Sequence, residues 1–128
     1  MKYYFEKTIN YTFEEAVERV TEELKKEGFG VLTEIDVRAT LKKKLGIDFR
    51  KYQILGACNP PFAHKALQAE NKIGTMLPCN VIVQELEDGK TEVAAVDPVA
   101  SMMAVDNDKL GEIAGEIRAK LEKVIQNV

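Results

Sequence analysis

The chain has 128 residues, 45% of them hydrophobic and 30% charged, with a net charge of −3. That length fits one domain with a real core, and the composition is ordinary for a soluble globular protein. The acidic balance argues against nucleic acid, which draws a basic patch, and no apolar stretch is long enough to span a bilayer.

The opening Met1-Lys2-Tyr3-Tyr4-Phe5-Glu6 is cut by charges and lacks the apolar block of a signal peptide. A cytoplasmic protein is therefore expected, with its two cysteines as free thiols rather than a staple. Residues 2–9 are rich in aromatics and read as a first strand. Thr12 and Glu15 have capping-box spacing, and Phe13, Ala16, Val17, Val20 and Leu24 recur at helical spacing until Gly28 stops the helix.

Val31, Thr33, Ile35 and Val37 alternate with Leu32, Glu34 and Asp36, which predicts a strand with one wetter face. A short helix follows over 39–45 and ends at Gly46; its Lys42-Lys43-Lys44 run reads as a solvated face. Residues 52–58 form a more apolar strand, and Pro60 and Pro61 open a helix running to about Glu70. A strand over 79–86 turns through Glu87-Asp88-Gly89-Lys90 into its return over 91–96, which Asp97-Pro98 ends. With Asp106 as its cap, a last amphipathic helix carries Leu110, Ile113, Ala114, Ile117, Leu121 and Val124. The order predicts an α+β domain, with an antiparallel sheet, helices on one face and the four later strands as a meander.

Two Cys-Asn pairs stand out, Cys58-Asn59-Pro60 and Cys79-Asn80, each at a predicted strand end. Antiparallel pairing of those strands brings both cysteines to the same end of the sheet. Three chemistries fit. A helix N-terminus lowers a thiol pKa, so Cys58 reads as a nucleophile with Cys79 as its resolving partner. Cys58, Cys79 and His64 together read as ligands for a soft metal, although five and fourteen intervening residues match no standard zinc spacing. In the third, the cysteines pack as small hydrophobes, and the helix start near Asn59 takes a small anion.

His64 is the one histidine, and Asn59 and Asn80 read as partners of turn backbone. Met76, Met102 and Met103 are candidates to line an adaptable groove, and Gly111 and Gly115 share a helix face. Glu70, Glu85, Asp97 and Asp106 have no spacing of a paired-carboxylate site, and no phosphate loop, dinucleotide fingerprint or nucleophile elbow is present.

The segments Ile54-Leu55-Gly56-Ala57-Cys58-Asn59-Pro60 and Ile73-Gly74-Thr75-Met76-Leu77-Pro78-Cys79-Asn80-Val81-Ile82-Val83, with Ala63, Ala66, Leu67 and Asp97-Pro98, resemble the domain of unknown function 302 family. The resemblance covers nearly the whole chain. It implies a small α+β domain of the TATA-binding-protein-like type, in the order β-α-β-β-β-β-α, and a homodimer. It implies no activity, no cofactor and no role for Cys58, Asn59, Pro60, Leu77, Pro78, Cys79 or Asn80. The fold likeness carries no DNA binding. The expectation is a homodimeric domain binding a small ligand or metal ion beside Cys58, Asn59, Pro60, His64, Cys79 and Asn80. Its alternatives are a thiol redox protein and a protein-interaction module.

Overall fold

The computed structural model describes residues 2–128. Strand β1 (Tyr4–Ile9) leads into helix α1 (Phe13–Lys26), then β2 (Gly30–Asp36), α2 (Val37–Leu45), β3 (Tyr52–Cys58) and α3 (Pro60–Ala69). After a 3₁₀ turn (Ile73–Met76) come β4 (Cys79–Glu85), β5 (Thr91–Val96), the one-turn α4 (Pro98–Ser101) and α5 (Asp108–Asn127). The five strands form one antiparallel sheet in the order β1-β5-β4-β3-β2, so the four later strands do form a meander and β1 adds to its far edge.

The amphipathic pattern decides which side is covered. Ala16, Val20 and Leu24 of α1 and Ile117, Leu121, Val124 and Ile125 of α5 pack with Leu55, Ala57, Cys79, Val81, Val83, Val93 and Ala95 of the sheet in one core. Strand residues of that core alternate along β3 and β4, as a sheet with one buried face requires. The intervening residues Tyr52, Ile54, Ile82 and Ala94, with Tyr4 and Val96, pair across neighbouring strands and form the opposite face. Truncating a fully buried leucine such as Leu24 or Leu121 costs about 2–5 kcal/mol. A smaller core of Ala66, Ile73 and Leu110 joins α3, the 3₁₀ turn and α5, with Leu77, Met102 and Ile113 packed against it.

Local chemistry shifts several predicted boundaries. Asp36 accepts from the Ala39 amide at 2.9 Å and so caps α2, which begins at Val37 rather than leaving that residue in the strand. Asn107, not Asp106, caps α5: its carbonyl oxygen accepts from the Lys109 amide, and its amide donates to the Ala69 carbonyl at 2.8 Å, tying α5 to the end of α3. Asp97 ends β5 as expected and then starts α4, accepting from the Val99 amide at 3.0 Å. In the Thr12–Glu15 box, the Thr12 hydroxyl accepts from the Glu15 amide at 3.1 Å and donates to the Glu15 carboxylate at 3.0 Å. The register slips between Val31 and Thr33, making Leu32 an extra, exposed residue on the edge strand. Among the described residues, no helix is long and apolar enough to cross a membrane.

Candidate functional site

Cys58 closes β3 and Cys79 opens β4. Cys79 faces Ala57 across the ladder, which sets the two cysteines at the same end of adjacent strands, as the predicted pairing demands. Pro60 and Pro61 then start α3, where missing amides cost nothing. Asn59 occupies the cap position, yet its side chain makes no cap bond. Its amide donates instead to the Glu27 carbonyl at the end of α1, at 3.2 Å. Gly28 accommodates this. Its φ of 85° is the left-handed region glycine favours, and a Cβ there would sit 3.2 Å from the Asn59 amide nitrogen. The close of α1 and the opening of α3 are thereby locked together beside the cysteines.

A pocket of about 300 Å³ opens at this end of the sheet, where the main core meets the smaller one. The sheet contributes Ala57, Cys58 and Cys79 to its wall. From the helices come Phe62 and Ala66 of α3 and Ile113 and Ile117 of α5, while Met102 lines it from beyond α4. Among the described residues, no Asp, Glu, His, Lys or Arg lines the pocket, and Asn59 is its one amide side chain. Such a lining holds apolar matter and supplies no general acid or base besides the thiols. Both cysteines are free. Cys79 is buried, and its thiol is pushed up to about 11 by burial, with the nearby Cys58 adding to the effect. It is a neutral, poorly nucleophilic group at neutral pH.

The predicted site residues separate in space. Cys58, Asn59 and Cys79 come together in the pocket. Pro60 starts α3 as an exposed residue outside the lining. His64 is also exposed and outside it, and among the described residues no three of His, Cys, Asp and Glu are grouped to hold a metal, so the Cys58–Cys79–His64 ligand set does not form. Asn80 alternates away from Cys79 to the opposite face, where it lines a shallow groove with Tyr4, Tyr52 and Ile82. Of the three methionines singled out, Met102 alone reaches the pocket. Phe62 and Ala66 went unnoticed as wall residues, although their i, i+4 spacing on α3 is the available signal; Ile113 and Ile117 read only as core.

Gly56 shows why the motif needs a glycine beside these cysteines. A Cβ at that position would collide with the Thr33 hydroxyl and come within 2.8 Å of the Pro78 ring. The family model described as "Domain of unknown function DUF302" matches residues 5–128. The chain belongs to the DUF302 family. Its fold matches a crystal structure described as an uncharacterized conserved protein DUF302 from Bacillus stearothermophilus, with a TM-score of 0.92 and 30% identity. The match covers 99% of this chain and 98% of that one. No curated protein matches the chain. Membership in DUF302 brings the α+β domain with its five-stranded antiparallel sheet, and no activity.

Proposed function

We propose that this DUF302 domain binds a small apolar molecule at the end of the sheet that carries Cys58, Asn59 and Cys79. One observation carries the reading: a pocket of about 300 Å³ whose wall, among the described residues, has no charged side chain, at the motif that marks the family resemblance. A volume of this order sits at the lower end of small-molecule sites. The thiols serve the reading as soft, polarisable wall atoms. A redox role for the pair finds less support, because a thiol at about 11 makes a poor resolving group at neutral pH.

Native mass spectrometry of the freshly purified, untagged protein tests the proposal, paired with the same measurement under denaturing conditions. The expected result is extra mass that denaturation releases, or uptake of the anionic, amphipathic dye ANS that Ala63→Trp abolishes. A bare chain that takes up no dye would end the reading. Oxidation with loss of two mass units at low peroxide would favour the redox alternative instead.

A homodimer is the second part of the proposal, and the uncovered sheet face supports it. Helix α2 buries none of its residues, and Leu45 at its end and Ile47 just after it are exposed. The open face presents Tyr4, Tyr52, Ile54 and Ile82 in partly buried positions with no helix of the main core over them. A second copy laid on that face would cover them. Light scattering after sizing should give twice the chain mass, and Ile82→Glu should give the chain mass; a wild-type monomer at micromolar concentration removes this part. We further read the fold as TATA-binding-protein-like in architecture only. Two free thiols suit a reducing compartment such as the cytoplasm.

A further inference from the structure

The pocket has a charged neighbour. Phe62 and Ile113 line both the apolar pocket and an adjoining groove that also carries Lys65, Gln68, Lys109, Glu112 and Glu116. Two ammonium groups converge on the Phe62 ring from different helices. Lys65 of α3 lies 5.2 Å from the ring centroid and Lys120 of α5 lies 6.0 Å from it. Neither forms an ion pair with any carboxylate among the described residues. Two like charges at one aromatic ring repel each other, and Glu112 and Glu116 of the same groove offset that potential only in part, since neither pairs directly with Lys65 or Lys120. An anion between them is the occupant that relieves this.

Resting on the reading of the pocket as a ligand site, we infer that its ligand is an amphipathic carboxylate of the fatty-acid type. The apolar tail lies in the pocket against Cys58, Cys79, Met102 and Ile117, and the carboxylate sits at the Phe62 rim between Lys65 and Lys120. A medium-length alkyl chain, such as that of decanoate, suits a pocket of about 300 Å³, at the lower end of small-molecule sites. Glu112 and Glu116 on the groove wall disfavour a second negative charge, which selects a monocarboxylate over a dicarboxylate or a phosphate ester.

Calorimetric titration with decanoate and with decanol separates the head from the tail. Wild-type protein should bind decanoate more tightly than decanol, and raised salt should weaken the first only. The Lys65→Gln/Lys120→Gln variant should lose about tenfold in decanoate affinity, as expected for two partly exposed charge contacts, and keep decanol binding within about twofold. Ala63→Trp, which fills the pocket, should abolish both. Leu67→Trp, at a more exposed lining position, serves if the first variant fails to fold by circular dichroism. Equal affinity for acid and alcohol, or an unchanged decanoate affinity in the double-lysine variant, overturns the carboxylate assignment while the pocket reading survives. Binding of neither molecule overturns both.

Discussion

Raising the pH from 8 to 11 should destabilise this protein through one thiol, and the size of the effect follows from the burial of Cys79. In the unfolded chain the thiol titrates near its ordinary 9.0; in the folded protein burial, with Cys58 nearby, holds it protonated up to about 11. A raised folded pKa means that the folded state binds the extra proton. Its stability is therefore complete below about pH 9 and drains away as the pH climbs toward 11. With these two values the loss is about 1.4 kcal/mol at pH 10 and about 2 kcal/mol at pH 11, approaching about 3 kcal/mol beyond. Urea unfolding of wild type and Cys79→Ala under reducing conditions, at each pH from 8 to 11, isolates it. The other side chains are the same in both proteins, so their contribution cancels in the difference. The packing cost of the substitution is the same at every pH and drops out of the trend. The advantage of wild type over the variant should shrink by about 2 kcal/mol across the series. A difference that stays flat within about 0.5 kcal/mol would refute the assignment of a buried, neutral thiol to this position.

Other perturbations report on the neighbouring structure. Gly56→Ala forces a methyl group against Thr33 and the Pro78 ring, and should lower the unfolding free energy by about 1–3 kcal/mol; Thr33→Ala on top should recover only part of it, because the proline contact remains. Asp97→Ala removes the α4 cap and the 3.1 Å contact from Arg118 Nε, with an expected loss of about 2 kcal/mol in chemical denaturation. Asp97→Asn, which keeps a capping oxygen, should lose less.

Much of the fold was legible because periodicity reports burial. The spacing of Ala16, Val20 and Leu24 and of Ile117, Leu121 and Val124 names the two helix faces that cover the sheet, and both reach the core. Asp88-Gly89 marked the hairpin, and Gly89 takes a φ of 82° there. Boundaries were less secure. Asp36 and Asp97 each sit at the end of a strand and cap the helix that follows, and in a linear reading either role is open. Asp106 and Asn107 are both good caps. Only the Ala69 carbonyl, 38 residues away in sequence, favours the second.

The sequence by itself determined the elements, the antiparallel meander and the convergence of Cys58 and Cys79 at one sheet end. These follow from local spacing and from the short connections between neighbouring strands. Tertiary structure alone decided which motif residues meet. Asn80 follows Cys79 directly, yet strand alternation sends it to the opposite face. His64 lies within two turns of Cys58 and still stays in solvent. The pocket has no signature in any one segment. It is the space left where two cores, built from β3, β4, α3 and α5, fail to close completely, and an unfilled volume is a property of packed surfaces rather than of a residue pattern.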